Sequence, residues 1–140
     1  MPNDFYISTD KSKLDIKTIH QFLSEESYWA KGRSLEIVKT SIENSMCFGV
    51  YNGTRQVGFA RVVTDYAIFG WIMDVFILKE FRGKGLGKYL MDAIIHHEKI
   101  RHIRSWGLGT EDAHGLYEKF GFTTIRKPQN RMERIVKDGG

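Results

Sequence analysis

At 140 residues, 41% of them hydrophobic and 13% aromatic, the chain has the length and apolar content of one domain with a single core. Charged residues at 27%, two prolines and 14 glycines without a triplet period exclude disordered, collagen-like and low-complexity proteins. The formal charge is +4, and residues 1–70 carry eight basic and eight acidic side chains, so the second half holds the whole excess, 13 against 9. That imbalance suits an anionic ligand such as a phosphorylated cofactor.

In chain order, Phe5 and Ile7 alternate with polar residues as a short strand, and Asp10 to Lys13 is a turn. Asp15 is placed to cap a helix whose apolar residues are Ile16, Ile19, Phe22 and Leu23, ending over Ser24 to Ser27. Tyr28 to Arg33 reads as a loop, and Ser34 caps a second helix carrying Ile37 and Ile42. Met46 to Tyr51 runs into Asn52-Gly53, a strong hairpin signal, and Val57 to Val63 returns. After Asp65-Tyr66, Gly70 to Leu78 is a third strand of an antiparallel series. Gly85 to Glu98 has the helical stripe Leu86, Tyr89, Leu90, Ala93, Ile94 and His97. Ser105 to Leu108 is a short strand, Asp112 to Phe120 a short helix with Asp112 in its first turn, and Gly121 to Ile135 a strand pair or a long strand interrupted at Pro128. The order defines a mixed α/β domain over residues 1–140, a mostly antiparallel sheet flanked by helices.

Arg82-Gly83-Lys84-Gly85-Leu86-Gly87-Lys88 lies between the third strand of that series and the best helix. A helix start leaves about four N–H groups unpaired and carries partial positive charge, so this loop is fitted to a pyrophosphate. The P-loop pattern fails because Lys88 is followed by Tyr89, and the dinucleotide fingerprint fails because Lys88 stands where a third glycine is needed. What matches is [RQ]-x-x-G-x-[GA], and downstream Ala113-His114-Gly115-Leu116-Tyr117-Glu118-Lys119-Phe120-Gly121-Phe122 matches A-x-x-L-Y-x-x-x-G-F. In these two segments the sequence resembles the GNAT family of N-acetyltransferases, over nearly the whole chain. Lys79, where the family usually has proline, and Thr110, where it often has asparagine, depart from the pattern.

The resemblance implies acetyl-CoA as donor, with its pyrophosphate held across Gly83 to Lys88 by Gly83, Lys84, Gly85, Gly87 and Lys88 beside Arg82. It also implies that the family's fourth strand splays from the fifth, so that Val75 and Ile77 offer unpaired backbone to the cofactor arm. Tyr117 corresponds to the family's tyrosine near the cofactor sulfur and would protonate the departing thiolate. For the base, Asp74 is favoured because a carboxylate inside an apolar run is costly unless paired or functional; a structural partner for an arginine, Glu111, Asp112 or a water chain are the alternatives. In the family, the loop between the first two helices walls the acceptor site. There Tyr28 and Trp29 could hold a cationic amine by ring faces, and Arg33 could meet a carboxylate.

The activity implied is N-acetyl transfer to a primary amine of a small molecule or peptide, with a non-catalytic acyl-CoA-binding module as the alternative. A metal centre is not expected: His20, His96, His97, His102 and His114 lack ligand spacing. Cys47 reads as a buried small hydrophobe and rules out an intramolecular disulfide. The basic residues are scattered without a nucleic-acid-binding signature, and the apolar stretch from Trp71 to Leu78 is broken by Asp74 and too short for a bilayer. A cytoplasmic protein without leader, nucleic-acid or membrane partner is expected, with a homodimer as a further expectation.

Overall fold

The computed structural model describes residues 4–136. Five strands form one sheet in the order β1-β2-β3-β4-β5: β1 (Phe5–Ser8), β2 (Met46–Asn52), β3 (Arg55–Thr64), β4 (Phe69–Ile77) and β5 (Ser105–Leu108). The first three junctions are antiparallel and only β4–β5 is parallel, because α3 (Leu86–His96) intervenes as a crossover.

Helices cover both faces. On one, α1 (Ile16–Gln21), the turn that follows it and α2 (Leu35–Glu43) bury Ile19, Phe22, Leu23, Val38 and Ile42 against Cys47, Phe59 and Phe76. On the other, Leu86, Leu90, Met91 and Ile94 of α3 pack on Phe48, Val50, Val57, Ala60, Val62 and Ile72. Because β2 and β3 are covered on both faces, they read as continuous apolar runs: Met46 to Tyr51 is buried throughout. The expected caps form, with the Asp15 carboxylate accepting from Thr18 N–H at 3.1 Å and Ser34 Oγ from Ile37 N–H at 3.2 Å. Helix α1 widens at its end into a π turn over Phe22–Glu26, closed by Ser27 N–H on the Phe22 carbonyl at 3.0 Å, and this turn delivers Tyr28 and Trp29.

Two expectations need correction. Helix α4 is only His114–Glu118, so Asp112 precedes it; Thr110 Oγ1 accepts from Ala113 N–H at 3.0 Å and holds the turn that leads in. No strand forms between Gly121 and Val136; the chain there is irregular, with a 3-10 turn at Pro128–Asn130. Its apolar residues lack a regular alternation that one sheet face could bury, and Ile125, Met132 and Ile135 stay exposed, Met132 at 95%. Pro128 also removes a ladder donor midway.

Candidate active site

The parallel β4–β5 ladder covers only Phe69 to Ile72 on β4 and Ser105 to Leu108 on β5. At its closed end two tryptophans lie over two glycines: a Cβ on Gly70 would come 2.9 Å from the Trp106 ring, and one on Gly107 would strike the Trp71 ring. Past Ile72 the strands part, so the rest of β4 has β3 as its one neighbour, paired at Met73, Phe76 and Ile77, and its other edge is open. Val75 and Ile77 both lie in this stretch. Ile77 departs in one respect, since its carbonyl oxygen already accepts from Arg82 Nε at 3.0 Å.

Within the same stretch β4 carries a bulge. Phe59 faces Phe76 and Arg61 faces Met73, which leaves Asp74 and Val75 opposite the single residue Ala60. Asp74 takes φ 55°, a left-handed conformation that aspartate tolerates better than a β-branched residue would. The bulge turns its carboxylate into the protein, where the side chain is 1% exposed.

That carboxylate is the centre of a charged cluster. Arg33 Nη1 donates to both oxygens at 3.0 Å, Arg61 Nε donates to Oδ2 at 2.7 Å, and Trp29 Nε1 donates to Oδ1 at 3.1 Å. Arg61 is completed by Ser45 Oγ at 2.9 Å and Met73 Sδ at 3.5 Å. Burial pushes the Asp74 pKa up, but the charges and hydrogen bonds of Arg61 and Arg33 outweigh it and hold the carboxyl below its ordinary value. Of the readings open for Asp74, this geometry favours the structural partner of an arginine over the general base, since both oxygens accept from guanidinium groups. Sequence reasoning missed Arg61, although an arginine inside the apolar run Val57 to Val63 signals a buried partner.

Trp29, Arg33 and Asp74 are thus brought together directly. Tyr28 stacks edge-on against Trp29 at 5.0 Å, and its hydroxyl accepts from Glu111 N–H at 2.9 Å, tying the loop after α1 to the loop after β5 where the strands have parted. Tyr117 on α4 is buried, with its ring edge-on to Phe122 at 6.2 Å. Burial, then the neighbouring Tyr28 and Asp112, push its pKa up to about 12. Its phenol therefore keeps its proton at neutral pH.

The glycine-rich loop opens α3 as expected. Gly83 at φ 79° and Gly85 at φ 80° are left-handed, and a Cβ on either would meet nothing within 4 Å, so the space over them is open. Gly85 is the N-cap and offers no side chain, leaving the first-turn N–H groups without a side-chain cap. Gly87 sits where a Cβ would lie 3.5 Å from Leu116, joining the α3 start to α4. Lys84 is exposed and Lys88 is exposed beside it. Uncapped donors, open space and a bare strand edge fit a pyrophosphate with an extended arm.

The family profile described as "Acetyltransferase (GNAT) domain" matches residues 43–124. "Putative acetyltransferase FG08082" of Gibberella zeae is 30% identical over 138 residues, covering 83% of this chain and 77% of its own. "Uncharacterized N-acetyltransferase ycf52" of Porphyra purpurea is 33% identical, covering 85% and 70%. The crystal structure of a GNAT-family protein of Xanthomonas campestris pv. campestris, xcc2953, superposes with a TM-score of 0.93 at 48% identity, covering 97% of this chain and 95% of that one. The chain belongs to the GNAT acetyltransferase family.

Proposed function

We propose that the protein transfers the acetyl group of acetyl-CoA to a primary amine of a small molecule or peptide by direct attack. The observation that carries this reading is the parting of β4 from β5 directly before the uncapped, glycine-lined start of α3. Acetyl-CoA supplies an activated acetyl thioester; its fit here rests on the bare edge at Val75 and on the open donors from Gly83 to Lys88. Those N–H groups and the α3 dipole would hold the pyrophosphate, with Arg82, Lys84 and Lys88 at hand.

In the transfer, the uncharged amine nitrogen bonds to the acetyl carbon and the carbon–sulfur bond breaks. Tyr117 gives its phenolic proton to the departing thiolate, which matches a group that stays protonated at neutral pH. The proton lost by the amine passes to solvent rather than to Asp74, whose oxygens are taken. Tyr28 and Trp29 wall the acceptor side, and Tyr28 joins it to the loop after β5.

Tyr117→Phe tests the reading. With an amine that supports thiol release from acetyl-CoA, kcat should fall by about 10²- to 10⁴-fold while acetyl-CoA affinity stays within twofold of wild type. Unchanged kcat would remove Tyr117 as proton donor. Acetyl-CoA binding without turnover of any primary amine would favour the non-catalytic binding module.

A further inference from the structure

We propose that Arg33 reads an anionic group on the acceptor, so that the amine to be acetylated belongs to a molecule that also carries a carboxylate or a phosphate. The inference rests on the acetyl-transfer reading above and names the substrate class of the same site.

The first observation is a charge imbalance. Two guanidinium groups, with side chains 12% and 9% exposed, share the one carboxylate of Asp74, and among the described residues neither has a second carboxylate within ion-pair distance. The cluster therefore holds a net formal charge of +1 in surroundings that solvate it poorly. An anion brought by the acceptor would balance it.

The second observation says which group would receive that anion. Each nitrogen of Arg61 already has a partner inside the protein: Nε, Nη1 and Nη2 donate to Asp74, Ser45 and Met73. Arg33 instead gives Asp74 only Nη1. Its Nε and Nη2 have no hydrogen-bond partner among the described residues, yet they are not sealed, because the one buried unpartnered side-chain polar atom there is the Tyr51 hydroxyl. A largely buried arginine thus keeps one edge in contact with solvent. Nε and Nη2 form the side-on fork of a guanidinium, whose two parallel N–H bonds match the two oxygens of a carboxylate or phosphate.

The third observation is placement. The carboxylate that fixes Arg33 belongs to the β4 bulge residue next to Val75, and Trp29 donates to that same carboxylate. The free fork is therefore held by the acceptor-side loop and by the open strand at once. Asp74 acts as a positioning residue for it.

The test uses the full chain, acetyl-CoA and thiol release, with acceptors in matched pairs: L-phenylalanine against its amide, and O-phosphoethanolamine against ethanolamine, with rates expressed per uncharged amine. The charged member of at least one pair should exceed its neutral twin in kcat/KM by about tenfold or more. The pair that responds tells carboxylate from phosphate. Arg33→Gln, which keeps an amide donor for Asp74, should bring that ratio near unity through KM, leave acetyl-CoA affinity within twofold, and Arg33→Lys should restore only part of it. Neutral twins turned over as fast or faster, no turnover of any charged member while acetyl-CoA binds, or a preference that survives in Arg33→Gln would each overturn the proposal. Those outcomes leave the acetyl-transfer reading standing, whereas wild-type protein that fails to bind acetyl-CoA removes both. Should Arg33→Gln fail to fold, the wild-type twin comparison decides alone.

Discussion

Replacing Asp74 by asparagine removes the one carboxylate that, among the described residues, pairs with Arg33 and Arg61, and leaves every backbone atom unchanged. The amide can still accept on one oxygen, but its nitrogen is a donor facing donors: Arg33 Nη1, Arg61 Nε and Trp29 Nε1 all point at the two Oδ positions. With Asp74 1% exposed and the arginines 12% and 9%, solvent screens little of the loss. Breaking a buried pair from one side costs about 3–5 kcal/mol. For 140 residues the unfolding entropy is about 0.3 kcal/mol/K, so Tm should fall by about 10–17 °C. The wild-type protein should show the same interaction through pH. The folded pKa of Asp74 is depressed, so its contribution is present above the unfolded carboxylate value of about 3.9 and is lost as pH falls through the lower folded value. Thermal melts followed by circular dichroism at pH 7 and in steps toward pH 2 read both effects. A Tm for Asp74→Asn within 2 °C of wild type at pH 7, or a difference that does not shrink on acidification, would refute the ion-pair account and restore Asp74 as a free carboxylate.

Two further perturbations address separate parts of the molecule. Gly85→Glu places a carboxylate over the open start of α3 and should weaken acetyl-CoA binding by at least tenfold, whereas Gly85→Ala, which carries the same left-handed strain at φ 80°, should weaken it less; equal affinities for the Gly85→Glu variant and wild type would displace the pyrophosphate from this loop. Cys47 is buried, and desolvation pushes its thiol pKa up to about 11, so native protein should resist an aromatic disulfide reagent at pH 8 and react fully only after denaturation; rapid labelling of the native thiol would contradict that placement.

The parts of the fold that were legible in the letters are those fixed by local rules. Helix α3, its glycine entry, the Asn52-Gly53 turn and the caps at Asp15 and Ser34 depend on neighbours within a few positions. The tail was not legible: Gly121 to Ile135 has strand-like composition, but strand formation depends on a partner edge and a face to cover, and neither forms along it. At the site, Tyr28, Trp29, Arg33 and Asp74 were each visible as candidates, while their relation was not. Residues 41 apart meet at Asp74 because a β-bulge aims one side chain inward, and nothing in the local sequence around Met73 to Val75 specifies that turn. Arg61 was the available clue, a charged residue inside an apolar strand that demands a buried anion.

The central claim is that the parted strands and the start of α3 form a donor site for acetyl-CoA. Calorimetric titration of the purified chain with acetyl-CoA, with ATP as the comparison anion, measures it directly. The account predicts saturable binding of one acetyl-CoA per chain with little heat from ATP, since the bare β4 edge receives an arm that ATP lacks. No saturable binding of acetyl-CoA, or equal binding of ATP, would contradict it.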